Sequence, residues 1–98
     1  MGTALITGAS EGIGLEFAWQ LAEAQHNLVL VARRRQKLEE IAAKIHNLAG
    51  VKVEVLAADL STQAGVDAVA ERIRSTQLPP IGLLVNNAGF GQIGRAHV

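Results

Sequence analysis

Apolar residues along this chain alternate between two rhythms. Thr3 to Thr7 is a short apolar run of strand length, and Asn27 to Ala32 (NLVLVA), Val51 to Ala57 (VKVEVLA) and Ile81 to Asn86 repeat that form. Between them the apolar positions recur at helical spacing. From Gly12 to about Gln25, Ile13, Phe17 and Leu21 return every four positions with Ala18 and Ala22 beside them, which predicts one buried helical face. From Arg35 to Ala49, a second stripe is formed by Leu38, Ile41, Ala42, Ile45 and Leu48. Glu40 sits four residues before Lys44 there, and Gly50 is placed to stop the helix. Val66, Val69, Ala70 and Ile73 mark a third helix, with Ser61 or Thr62 as its cap, and Pro79-Pro80 separates it from the last strand.

Strand and helix alternating with short connections is the pattern of a parallel α/β sheet. Runs as apolar as LVLV require helices on both faces. Right-handed crossovers give the expected strand order 3-2-1-4, a Rossmann-type doubly wound sheet. The first two helices then cover one face and the third crosses to the other.

The bulk numbers narrow the function classes. Ninety-eight residues make one domain. Nine basic and nine acidic residues cancel, so no general attraction to nucleic acid or an anionic membrane is expected. With no cysteine there is no disulfide and no thiolate metal site. No apolar run approaches the ~20 residues of a membrane span, and the N-terminus lacks the form of a signal peptide. A soluble cytoplasmic protein is the expectation.

The stretch Thr7 to Gly14, TGASEGIG, follows the first strand and opens the first helix. Glycines there let the backbone turn sharply, and a helix N-terminus offers unpaired N–H groups and partial positive charge to a phosphate. No Lys-Ser/Thr follows the last glycine, so this is not the triphosphatase phosphate loop. A plain strand–helix joint would also account for a glycine motif by itself.

The same stretch resembles the TGxxxGxG motif of the short-chain dehydrogenase/reductase family. Three further features agree in order and spacing: Arg33-Arg34 after the second strand, Ala58-Asp59-Leu60 after the third, and Asn86-Asn87-Ala88-Gly89 after the fourth. The resemblance covers residues 3 to about 91. It implies a cofactor site made of Gly8, Ser10, Glu11, Gly12, Ile13, Gly14, Arg33, Arg34, Asp59, Leu60, Asn86, Ala88 and Gly89. Within it, Asp59 lies against the adenine, and the Asn86 segment lines the site and steadies the sheet. On residue chemistry alone, Asp59 would serve as a helix cap and the asparagines as a turn.

The resemblance also bears on cofactor choice. Relatives that prefer NAD carry an acidic residue at the end of the second strand, which accepts hydrogen bonds from the ribose hydroxyls. Here that position is Ala32, followed by Arg33 and Arg34. A guanidinium can hold a 2′-phosphate through paired charge-assisted hydrogen bonds. The expected cofactor is therefore NADP. Against it stands Glu11, where many NADP-binding relatives have a basic residue.

The family transfers hydride between carbonyl and alcohol, with a catalytic tyrosine, a lysine four residues later and a serine. This sequence has no tyrosine, and its lysines are Lys37, Lys44 and Lys52. No residue is therefore assigned a catalytic role. The expectation is the N-terminal, cofactor-binding portion of a longer oxidoreductase, with residues 1–91 as a truncated Rossmann domain and 92–98 as a tail. A non-catalytic dinucleotide-binding module and a fragment self-associating through an uncovered fourth strand, Leu83-Leu84-Val85, are the alternatives.

Overall fold

A computed structural model of the chain describes residues 2–87. Four strands and three helices alternate: β1 (Thr3–Thr7), α1 (Gly12–Glu23), β2 (Asn27–Ala32), α2 (Arg35–Ala49), β3 (Val53–Ala57), α3 (Gln63–Arg74) and β4 (Ile81–Asn86). The strands form one parallel sheet in the order β3-β2-β1-β4. Fold class and strand order thus match the reading of the pattern. β3 starts two residues later than expected, and α1 ends two residues earlier.

Side chains alternate across the sheet, and the two faces bury separate cores. Ala4 and Ile6 of β1 and Leu28 and Leu30 of β2 pack against Ala18 and Ala22 of α1 and Leu38, Ala42 and Ile45 of α2. On the opposite face Leu5, Val29, Val31 and Leu84 meet Val69 of α3. The first two helices therefore share one face and the third takes the other.

The buried side of α1 differs from its apolar stripe. Its fully buried residues are Gly14, Ala18 and Ala22, whereas Ile13 is 67% exposed and Phe17 and Leu21 are only partly covered. Small residues let the helix lie close on the sheet, so the packing axis runs one position beyond the large side chains. The stripe on α2 also loses its last member, because Leu48 at its final turn is exposed. The α2 surface ion pair is Arg35–Glu39, at 3.8 Å, rather than one between Glu40 and Lys44.

The helix ends are set by local chemistry. Gly50 takes the left-handed conformation (φ 77°) and ends α2 as its sequence position predicts. α1 ends without a glycine. The His26 N–H donates to the Leu21 carbonyl and the Gln25 N–H to the Ala22 carbonyl, with Gln25 itself left-handed at φ 71°. Thr62 caps α3, its hydroxyl accepting from the Gly65 N–H at 3.0 Å.

β4 pairs with β1 and with no other strand among the described residues. Its backbone edge is open, as the expected order requires. Its side chains are not bare, however: Leu84 and Val85 are buried and Leu83 is half-buried. Arg72 of α3, itself buried, fastens the start of this strand. Its Nε and Nη2 donate to the Glu54 carboxylate at 2.8 and 3.1 Å, and Nη2 also donates to the Pro79 carbonyl at 3.0 Å.

Candidate functional site

The C-terminal ends of the strands line up. Thr7 stands opposite Val31 on one side and Asn86 on the other, and Ala32 stands opposite Ala57. Successive strands run outward from β1 to β3, then the chain returns to β1's other side. In open α/β sheets such a reversal leaves a crevice beyond the strand ends. A cavity of about 700 Å³ lies there. All three βα connections line it: Gly8 and Ser10–Ile13, then Ala32–Arg34 with Lys37, then Ala58–Ser61; Asn87 completes the wall.

The glycine turn is built for close approach. Gly8 and Gly12 have φ of 63° and 60°, where a side chain is strained. Gly12 faces open space on the side a Cβ would occupy. Gly14 has a different task. A Cβ there would strike the Gly8 carbonyl oxygen and come within 2.8 Å of Asn87 Nδ2, so the missing side chain lets α1 seat against the turn. Glu11 is the N-cap of α1, but its side chain makes no capping hydrogen bond and the first turn holds no acidic residue. The first-turn amides are left for another acceptor, in the partial positive field of the helix end.

After β2 the cavity wall is cationic. Arg33 and Arg34 both line it, and neither forms an ion pair among the described residues. Arg35 turns away to Glu39. Lys37, one turn further on, reaches Glu11 across the cleft, with Nζ 3.5 Å from Oε1. Lys37 was not legible as a site residue, because its place on the wall depends on how α2 approaches the glycine turn.

Asp59 and Leu60 line the opposite side. Asp59 Oδ1 accepts from the Ser61 hydroxyl at 2.6 Å and from the Ser61 N–H at 2.9 Å. The Ser61 hydroxyl, then the Ser61 N–H, and to a lesser extent the charge of Arg33 hold this carboxyl below its ordinary pKa. The Asp59 carbonyl accepts from the Thr62 hydroxyl at 2.7 Å, which ties the turn to the cap of α3. Asp59 is thus not itself the cap; Thr62 is. Gly65 completes the arrangement, since a Cβ there would strike the Asp59 carbonyl oxygen.

The asparagine pair divides its work. Thr7 Oγ1 lies 3.1 Å from Asn86 Oδ1, to which it can donate, and it accepts from the Asn87 N–H at 2.9 Å. Asn87 Nδ2 donates to the Gly8 carbonyl at 3.5 Å. Asn87 is therefore the residue on the cavity wall. Asn86, the one expected there, lies against Thr7 and does not line it. Gly14 and Asn86 are the two expected site residues, among those described, that shape the cleft without lining it. Ala88 and Gly89 fall outside the described residues, as does the tail 92–98.

Among the described residues no group of three or more His, Asp or Glu could hold a metal ion, and no helix is long and apolar enough to cross a membrane. The cleft is instead suited to a phosphate-bearing ligand: a glycine turn whose helix start has no side-chain cap, and two guanidinium groups with no ion pair among the described residues.

Comparison with known proteins agrees with that chemistry. The family model described as short chain dehydrogenase matches residues 2–97. A very-long-chain 3-oxoacyl-CoA reductase of Debaryomyces hansenii is 43% identical over 86 residues, which cover 88% of this chain and 25% of that protein. Among solved structures, a short-chain dehydrogenase from Sphingobium yanoikuyae in complex with NADPH superposes with a TM-score of 0.85 at 47% identity, covering 94% of this chain and 35% of the other. L-sorbose reductase from Gluconobacter frateurii, complexed with NADPH and L-sorbose, gives 0.82 at 44% identity, covering 93% and 34%. The chain thus spans a quarter of the curated relative and about a third of the solved chains.

Proposed function

This chain belongs to the short-chain dehydrogenase family, and from that premise we propose that it holds NADP(H) in the cleft at its strand ends, as the cofactor-binding portion of an oxidoreductase acting on a carbonyl or alcohol. One observation carries the reading. The cleft at the strand-order reversal joins a glycine-opened helix start without a side-chain cap to two arginines with no ion pair among the described residues, in a volume suited to a cofactor. The NADPH in the two solved relatives supports the same choice.

In this reading the amides of the Gly8–Ile13 turn receive the pyrophosphate. Ser10 and Gly12 border it without crowding, and Gly14 keeps α1 seated so that the amides stay aimed. Arg33 and Arg34 hold the 2′-phosphate, with Ala32 leaving no carboxylate to repel it. Asp59 and Leu60 border the adenine, and the Ser61 bonds fix the Asp59 carboxylate in place. Asn87 borders the cleft, and the family motif adds Asn86, Ala88 and Gly89 to the proposed site. The nicotinamide supplies the hydride chemistry, and no tyrosine of this sequence is present to move the accompanying proton.

Calorimetric titration of the 98-residue chain with NADPH and NADH, at low and moderate salt, tests the proposal. NADPH is expected to bind at least tenfold more tightly, with the advantage shrinking as salt rises. Arg33→Ala together with Arg34→Ala should remove most of the difference while leaving NADH binding nearly unchanged. Equal affinities in the unmodified chain would refute the arginine assignment.

A further inference from the structure

The ion pair that crosses the mouth of the cleft has no part in the reading above. Glu11 comes from the glycine turn and Lys37 from the first turn of α2, 26 positions apart, with Nζ and Oε1 at 3.5 Å. Both line the cavity beside Arg33 and Arg34. We propose that Lys37 is a specificity-determining residue for the 2′-phosphate, held in reserve by Glu11 until a ligand carrying that group displaces the carboxylate. The inference rests on the assignment of the cleft to a dinucleotide.

Three features support it. The pair is solvated, with side chains 42% and 82% exposed, and such pairs are weak enough for a competing anion to break. A lysine ammonium is a mobile point charge on a flexible stem, so it can change partners without moving the backbone. Glu11, for its part, sits at the N-terminus of α1, where negative charge is favoured. Its carboxylate therefore occupies the field that would attract a phosphate and opposes every phosphate-bearing ligand. Lys37 offsets that opposition. It does so most for a ligand with a second phosphate on the α2 side of the cleft.

Two probes isolate the effect: 2′,5′-ADP and 5′-AMP share the adenosine and the 5′-phosphate and differ in the 2′-phosphate. Calorimetry on the full chain and on Lys37→Gln, Glu11→Gln and the double variant gives a coupling cycle. Both residues are on the surface, and thermal melts establish that each variant is folded; Lys37→Arg should retain most of the wild-type preference. Lys37→Gln is expected to weaken 2′,5′-ADP about fivefold and 5′-AMP by less than about twofold. Glu11→Gln should tighten 2′,5′-ADP. In that background Lys37→Gln should cost more than in the wild type, because Lys37 no longer surrenders a partner to bind phosphate. Strictly additive effects, or equal losses for both probes, would overturn the inference even if the wild type prefers 2′,5′-ADP. A wild type that binds neither probe and no NADPH would overturn the dinucleotide assignment itself.

Discussion

Replacing Gly14 by alanine tests whether the seat of α1 controls the cleft. The added methyl would meet the Gly8 carbonyl oxygen and approach Asn87 Nδ2 at 2.8 Å. The first obstacle is backbone, so no rotamer change relieves it. Either α1 withdraws from the sheet or the glycine turn moves into the cavity. Overpacking of this kind costs about 1–3 kcal/mol. Alanine's better helix propensity returns up to about 1 kcal/mol. With that gain taken in full, a net loss of about 0–2 kcal/mol remains, which for a domain of this size lowers the melting temperature by up to roughly 16 °C. Binding should suffer more than stability, because the displaced turn carries the amides that aim at the ligand. Thermal unfolding followed by circular dichroism, with NADPH titration at a temperature where both proteins are folded, measures the two effects. An alanine variant that melts at or above the wild type and binds NADPH unchanged would refute the reasoning.

Two further perturbations read other parts of the structure. The pKa of Asp59 is lowered in the fold by the Ser61 hydroxyl and N–H, so its contribution to stability is present above the unfolded carboxyl value of about 3.9 and is lost as pH falls through the folded value. Asp59→Asn should therefore flatten the acid side of the stability profile below about pH 4, measured by urea unfolding across pH; an unchanged acid limb would show that the Ser61 bonds contribute nothing. Arg72→Met keeps the apolar stem but strips the Glu54 carboxylate and the Pro79 carbonyl of their donors, and should lower the unfolding free energy by about 2 kcal/mol. Urea unfolding measures that loss, and a neutral result would mean that burying the guanidinium costs as much as its bonds return.

The sheet was legible in the sequence because strand-length apolar runs and helical stripes alternate without ambiguity, and because right-handed crossovers leave few orders to consider. The glycine turn, Arg33-Arg34 and Asp59-Leu60 stood out together through their resemblance to one family's motifs, each after a strand, and the structure brings them to one cavity. What escaped the pattern depends on close approach. Apolar periodicity weights large side chains, so Ile13 looked like core, whereas α1 packs through Gly14, Ala18 and Ala22. Gly65 resembles any helical glycine until the Asp59 carbonyl is seen against it. Gln25 occupies a left-handed position that propensity assigns to glycine, and its amide reaches the Ala49 carbonyl at 3.3 Å. Nothing in the sequence marks Lys37 or Arg72, because only tertiary structure brings Glu11 to one and Glu54 to the other. That Asn87 rather than Asn86 lines the cavity is set just past the end of β4, where Thr7 holds the Asn86 side chain and the Asn87 amide.

The central position of β1 has a kinetic consequence. β1 meets β2 after one short crossover, with Thr3 beside Asn27. Its contact with β4 spans far more of the sequence: the Thr7 hydroxyl reaches a carbonyl 78 positions away. Closing the longer loop costs about 1 kcal/mol more in chain entropy, and pairings so distant in sequence form slowly. The local β1–β2–β3 arrangement can gather first, with the glycine turn and the arginines already in place. Asn87 arrives only when β4 docks. An assembly that followed contact distance would lay down half of the cleft early in synthesis and add Asn87 late, through contacts 80 and 79 positions apart. A ligand that touches both sides would slow the loss of β4 and act as a clasp on the newly folded chain.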